Sequence, residues 1–326
     1  MILDRVGSFG WVPSLAGAPS NPLPLLGARC RHGDAARVER MRFGLMAPYM
    51  QAPVEDGGYA REFAQLAEGL GFESVWAVDH VVMCAEYESR YPYDRSGRSP
   101  FHQDVVQPDP LTWLTWAGAV TTKLRLGTGI LILPLRNPVV LAKEVASLDR
   151  LSGGRVLLGV GVGWVAEEAA AVGTDFATRG ARTDEAIAAM RALWRGEPTA
   201  SFAGETVRFR DVVSRPKPVR AEGVPILIGG HSKAAARRAG RLGDGFYPLG
   251  VFGAKLDELI GVMREAAAAS GRDPGAIEIT VAGGMDARVI ESLAKQGVGR
   301  VLVSPPTGEL GAMRKRLETF ARDVMQ

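Results

Sequence analysis

The sequence predicts an α/β fold, a (β/α)8 TIM barrel with insertions after strand 2 and before strand 5, and three observations predict it. From Met41 to the C-terminus, short runs rich in β-branched residues or leucine alternate eight times with longer, Ala-rich amphipathic runs. That number of units in that length matches a barrel of eight strand–helix pairs. Turn chemistry falls where units change: Asn137 is a natural N-cap, Pro138 suits a first helical turn, and Gly153 can end the same helix. The third observation is where the glycines of "GRVLLGVGVGWVAEE" stand. Gly161, Gly163 and Ala166 spell G-x-G-x-x-A, but the run belongs to the fourth strand. A dinucleotide fingerprint belongs to a first βα turn, with an acid ~20 residues on at a strand end. Here Asp184 and Glu185 fall inside a helical pattern instead.

Taken in order, the first strand lies near residues 42 to 47 and a helix near 58 to 70. Strand "FESVWAV" follows, then a long polar and aromatic insertion and a helix near 110 to 121. Strand "LRLGTGI" runs into "LILPLRNPVVLAKEVASLDRLSGG", where Leu141, Val145, Leu148 and Leu151 line one helical face. The fourth strand leads to helices near 165 to 172 and 180 to 195. A hairpin-like insertion, "SFAGETVRFR", precedes the fifth strand, "VPILIGG", and Ser232 can cap the next helix. "DGFYPL", "AIEITVA" and "GRVLVS" are strands six to eight, with helices near 254 to 269 and 286 to 296 and a last one in "GELGAMRKRLETFARDV".

Composition narrows the function classes. Apolar residues are 46% and the formal net charge is +3, of which residues 1 to 40 supply +2 with five Arg against three acids. The remainder has no basic stripe, so no nucleic-acid partner is expected. The two cysteines, Cys30 and Cys84, make neither a metal cluster nor a disulfide framework and fit a reducing cytoplasm. No apolar run of ~18 residues exists, so no membrane span is expected. Residues 1 to 40 are Pro- and Gly-rich without periodicity. Pro13, Pro22 and Pro24 break a signal-peptide core, and Arg29 spoils a lipoprotein cleavage site before Cys30. The segment reads as a disordered N-terminal extension to a 41–326 barrel domain, with Met41 a candidate start.

Together, "VWAVDH", "LRLGTGILILPLRNPVVLAKEVASLDRLSGGRVLLGVGVGW", "GARTDEAIAAMRALW" and "ILIGGHSKAAARRAGRLGDGF" resemble the bacterial luciferase-like superfamily, and within it the deazaflavin (coenzyme F420)-dependent oxidoreductases. The resemblance covers nearly everything from Met41 onward. It implies an enzyme whose barrel mouth holds a tricyclic ring, F420 or alternatively flavin mononucleotide (FMN), and a small-molecule substrate, with a homodimer as the candidate assembly. It implies a cis peptide at Gly129–Ile130 that props the ring; the residues alone favour a β-bulge at Gly127 or Gly129. It places Asp79 and His80 facing cofactor and substrate, with His80 as the catalytic proton carrier; the plainer reading is a histidine ending a strand. Gly161 and Gly163 read as backbone left bare for a flat ligand, whereas Gly159 is as well explained by barrel closure. Gly229, Gly230 and Ser232 are a candidate phosphate site at a helix N-terminus, or an ordinary capped loop. Arg182 is a further phosphate candidate, or a solvated helix arginine. Arg136, Lys217 and Lys233 are candidates to meet the anionic tail of F420.

One departure bears on the substrate. Sugar-phosphate dehydrogenases of the resembling family carry an acid after this Gly-x-Gly, and here the position is Trp164. An indole cannot pass a proton but can wall an apolar pocket. An apolar or aromatic substrate is therefore expected. The insertion "EYESRYPYDRSGRSPFHQD" carries three of the six tyrosines and is expected to lie over the mouth as a lid, with the "SFAGETVRFR" hairpin bordering the same pocket. Three other functions compete. An FMN monooxygenase using O2 and a non-catalytic flavin-binding barrel share the motifs. A metal hydrolase would need His80, His102 and His231 to converge, and the first strand supplies no ligand for it, so no metal is expected.

Overall fold

The structure is a computed structural model that describes residues 41–99 and 104–325. The expectations for residues 1 to 40 and for His102 lie outside the described residues. The strands are β1 (Arg42–Met46), β2 (Ser74–Ala77), β3 (Arg125–Thr128), β4 (Leu131–Ile132), β5 (Val156–Gly161), β6 (Ala200–Ala203), β7 (Arg208–Val212), β8 (Ile226–Gly229), β9 (Gly245–Tyr247), β10 (Glu278–Gly283) and β11 (Arg300–Val303). The helices are α1 (Gly57–Gly69), α2 (Pro110–Ala119), α3 (Pro138–Leu151), α4 (Ala166–Ala171), α5 (Arg179–Arg195), α6 (Lys233–Leu242), α7 (Gly253–Ala269), α8 (Ala287–Lys295) and α9 (Leu310–Val324).

Eight parallel strands close a ring in the order β1, β2, β3, β5, β8, β9, β10, β11, with β11 paired back to β1. Closure between β3 and β5 aligns Leu126 with Val156 and Gly127 with Leu157. The third barrel strand is in two pieces: β4 continues β3 beyond the Gly129–Ile130 bond, which is cis, and pairs with β5 through Ile132 and Gly161. The expected barrel, the cis bond and both insertions are therefore present.

Side-chain alternation along the strands separates two apolar layers. Val75, Leu158, Ile228 and Val301 point outward into the layer shared with the helices. Trp76, Leu157, Leu227, Tyr247 and Leu302 point inward and pack as a second cluster in the barrel interior. Beneath them, at the N-terminal ends of the strands, the fully buried Arg300 is clamped between Glu73 and Glu278 and lies 5.7 Å from the Trp76 ring centre. The caps read from sequence form as expected: Asn137 accepts from Val139 and Val140 N–H, and Ser232 accepts from Ala235 N–H. Leu151 departs from the expected buried face and is 80% exposed. It is the last helical residue, and the helix has turned its face to solvent by then.

The β6–β7 hairpin contributes no residue to the crevice lined by His80 and Trp164. It runs back along α5, where Glu185 accepts from the N–H groups of Glu205, Thr206 and Val207 at its tip. A carboxylate that collects three backbone donors fixes the tip on the outside of the barrel. Among the described residues, no helix is long and apolar enough to cross a membrane.

Candidate active site

His80 stands three residues beyond β2, on the segment that leaves the C-terminal mouth of the barrel. Its Nδ1 lies 2.8 Å from Oε2 of Glu168, in the first turn of α4, which follows β5. The other carboxylate oxygen of Glu168 accepts from Val81 N–H at 2.6 Å and Val82 N–H at 3.4 Å. The Glu168 side chain is 2% exposed and that of His80 10%. A buried carboxylate is tolerated when it collects donors, and a first helical turn adds a favourable dipole.

Beside this pair is a narrow crevice walled by His80, Val82, Met83, Tyr87, Trp164 and Val165, with the Cys84 thiol and Ser99 at its edge. Trp164 is the hub of an aromatic cluster. Tyr91, Tyr87 and His80 approach it edge-on, with ring centres 5.2, 5.6 and 6.2 Å away. Tyr91 in turn packs at 5.3 Å on Tyr93, and Tyr93 packs at 4.8 Å on His231 beyond β8. The insertion therefore spans the mouth from the β5 side to the β8 side, as a lid must. Burial pushes the Tyr93 phenol up to about 12 and raises Tyr91 further, so neither titrates near neutrality. Burial, and then the Lys255 charge, lowers His231 below the ordinary imidazole value, which favours a neutral ring against Tyr93.

The lid has its own clasp. Glu167 accepts from Glu88 and Ser89 N–H and from the Ser89 hydroxyl at 2.7 Å, while Ser89 Oγ accepts from Ala166 N–H at 2.9 Å. The Ser89 hydrogen bond foremost holds Glu167 down at about 2. Two neighbouring acids of one helical turn thus hold the lid: Glu168 its root, Glu167 its middle.

The remaining sequence candidates divide. Asp79 is 4% exposed, but its carboxylate is engaged within the protein: it accepts from Ile132 N–H at 2.9 Å and pairs with Arg136 at 2.7 Å. Burial raises the Asp79 carboxyl above its ordinary value against the pull of Arg136. Asp79 and Arg136 brace β4. Arg136 also pairs with Asp109 at 2.9 Å, so it is not offered to an anionic tail. Lys217 donates to the Leu193 and Gly196 carbonyls at the end of α5, on the face opposite the mouth, and is likewise unsuited to that role. Lys233 does stand near the mouth, paired with Glu258 at 2.8 Å.

The glycines are bare for a reason the sequence reading missed. A Cβ at Gly161 would strike the end of the Ile130 side chain, and one at Gly229 would come within 2.7 Å of Ile130 Cγ2. Gly159 faces the Thr128 carbonyl oxygen, so there the barrel-closure reading is correct. Ile130 therefore fills the space over these strands, and the glycines admit Ile130 directly. Gly163 and Gly230 need their glycine for conformation as well, with φ of 78° and 124°. Ser232 spends its hydroxyl oxygen as a cap. Arg182, in the first turn of α5, is partly buried and has no partner among the described residues. Among the described residues no three His, Cys, Asp or Glu side chains gather as a metal site would require. Sequence reasoning missed Glu168 altogether; the one signal was the acid pair in "WVAEE", at the start of a helix.

The model of a protein family described as luciferase-like monooxygenase matches residues 41–291. An uncharacterized protein of Mycobacterium tuberculosis is 34% identical over 272 residues, which cover 80% of this chain and 93% of that protein. An F420-dependent glucose-6-phosphate dehydrogenase of Kineococcus radiotolerans is 34% identical over 230 residues, covering 69% of this chain and 62% of the relative. Among solved structures, an F420-dependent secondary alcohol dehydrogenase in complex with an F420-acetone adduct superposes with a TM-score of 0.71 at 19% identity, covering 88% of this chain and 99% of that one. The monooxygenase RslO1 from Streptomyces bottropensis gives 0.70 at 23% identity, with coverage of 87% and 99%. These two likenesses concern the fold. With the family model spanning seven of the eight barrel strands and the insertion after β2, the chain belongs to the luciferase-like monooxygenase family of oxidoreductases.

Proposed function

We propose that this oxidoreductase moves a hydride between deazaflavin coenzyme F420 and a small, neutral, apolar or aromatic substrate. The observation that carries the reading is the crevice in which His80 meets Trp164. Its walls are aliphatic and aromatic, it contains no Arg or Lys, and His80 brings the one imidazole. A neutral body with one polar oxygen suits such a wall, since an uncompensated charge there would be costly. The relative from Kineococcus radiotolerans is named for glucose 6-phosphate. None of the residues that line this crevice is a cation that could pair a sugar phosphate.

The residues of the mouth fit a planar cofactor. Ile130 offers an apolar shelf over Gly161 and Gly229 and packs on the interior cluster of Trp76 and Tyr247. Gly163, Gly229, Gly230 and Ser232 supply backbone around the shelf, and the unpartnered Arg182 is the candidate to meet a phosphate. When bound, the deazaflavin supplies the hydride chemistry. The protein orients the substrate, excludes water with the Tyr87–Tyr93 stretch, and exchanges a proton with the substrate oxygen at His80.

Titrating the purified protein with F420 and with FMN, followed by turnover of small neutral carbonyl compounds and alcohols against sugar phosphates, tests the reading. Tighter F420 binding and turnover confined to neutral apolar compounds are expected. Tight FMN binding without F420 binding would move the protein to the flavin monooxygenases. Binding without turnover of any acceptor would make it a cofactor-binding barrel.

A further inference from the structure

We infer that Glu168 is a positioning residue that fixes the tautomer of His80, so that Nε2 is the nitrogen left for the substrate. An ionised carboxylate only accepts hydrogen bonds. Oε1 of Glu168 is already taken by Val81 and Val82 N–H, and Oε2 points at Nδ1 of His80 at 2.8 Å. Nδ1 must therefore carry its hydrogen. The ring's other nitrogen has no partner among the described residues. Neutral His80 thus presents an Nε2 lone pair, and protonated His80 an Nε2–H, from a ring whose plane is set by the carboxylate on one side and by the Trp164 edge on the other.

Cys84 lies close enough for the Glu168 charge, after burial, to raise its thiol, and Thr174 and Arg179 line a pocket with Glu168, but no hydrogen bond joins any of these three side chains to the carboxylate. The adjacent Glu167 turns to Ser89, and Arg98 lies over the Tyr87 ring at 5.6 Å from its centre. His80 is the only side chain for which a hydrogen bond to Glu168 is found among the described residues. The two residues are 88 apart in sequence and arrive from β2 and β5, strands separated in the ring by β3. One carboxylate thus sets both the root of the lid, through Oε1, and the ring that the lid covers, through Oε2.

The inference rests on the reading of His80 as the proton-carrying group, so its test begins without cofactor or substrate. In apoprotein labelled with 15N-histidine, the His80 signal is assigned by its loss in His80→Asn, and its nitrogen shifts are read at a pH where the ring is neutral. A protonated Nδ1 and a bare Nε2 are expected. Glu168→Gln keeps an oxygen for Val81 and Val82 N–H but turns an amide donor toward Nδ1, so its expected signal is the opposite tautomer. In turnover, Glu168→Gln should lose ~10²–10⁴-fold in kcat, with KM and cofactor affinity within a few-fold. A wild-type ring protonated on Nε2 overturns the inference, as does a Glu168→Gln variant with wild-type tautomer and kcat. If Glu168→Gln does not fold, the wild-type tautomer still decides. If the tautomer is as expected and no hydride acceptor is found, the positioning role stands and the function proposed for the site fails.

Discussion

At the residue scale, Gly159, Gly161 and Gly229 show what a sequence can and cannot say. It shows that bulk is forbidden at those positions, but the neighbour that forbids it arrives from another strand. For Gly159 that neighbour is a backbone oxygen, and for Gly161 the end of the Ile130 side chain. Two substitutions should therefore behave differently. Gly159→Ala has no soft neighbour to displace and should lose ~1–3 kcal/mol or more, read as a lowered denaturant midpoint. Gly161→Ala should lose less stability, because Ile130 can rotate, but should weaken cofactor binding several-fold in a direct titration. The reverse order would mean that Ile130 is not the shelf. His80 was legible because it follows a strand end beside Asp79, yet the two part company: Asp79 braces β4 and His80 faces the crevice. His80→Ala should keep cofactor affinity within a few-fold and slow the hydride step by ~10²–10⁴ in single-turnover measurements. Wild-type rates in that variant would leave His80 as a strand-end residue.

At the element scale, the lid was visible as an aromatic, turn-rich interruption between a strand and a helix, because composition changes there. Its fastening was not visible. The clasp joins Ser89 to Glu167 across 78 positions, and no local pattern reports a contact of that range. The hairpin shows the same limit from the other side: its two strands were legible, but the side of the barrel it lies on was decided by Glu185 on α5. Removing one hydroxyl tests the clasp. Ser89→Ala loses the donor to Glu167 and the acceptor for Ala166 N–H together. Amide exchange through residues 86–91 should become about 3- to 10-fold faster, while protection in β5 and β8 stays unchanged. KM should rise more than kcat falls, since the lid covers the crevice and His80 is held separately by Glu168. Unchanged exchange in the lid would show that the aromatic packing on Trp164 holds it without the clasp.

At the scale of the whole molecule, the candidate site and the buried ion-pair floor occupy opposite ends of the barrel. The mouth carries the strand ends, the lid and the imidazole, whereas the floor is closed by Arg300 between Glu73 and Glu278. Residues 1 to 40 are Pro- and Gly-rich and lack core-forming periodicity, so a chain beginning at Met41 should keep the full-length thermal transition and cofactor affinity. Loss of either would show that residues 1 to 40 pack on the barrel. The floor gives a sharper test through pH. Burial opposes ionisation of Glu73, but the hydrogen bond and charge of Arg300 outweigh it and hold the carboxyl below its ordinary value of 4.5. A carboxyl depressed in the folded state contributes stability that is fully present above its unfolded value and is lost as pH falls through the folded one. The melting temperature should therefore fall with acid below about pH 4.5. Other depressed carboxylates, such as Glu167 and Glu185, add to that fall, so only a difference isolates the floor. Glu73→Gln should cost roughly 1.5–3 kcal/mol at neutral pH, because Arg300 keeps Glu278 but loses one charged partner. Its acid limb should be flatter than that of the wild type, and the two curves should converge as pH drops. Parallel curves across the acid range would mean that Glu73 titrates alike in both states and that the floor is held by Glu278 alone.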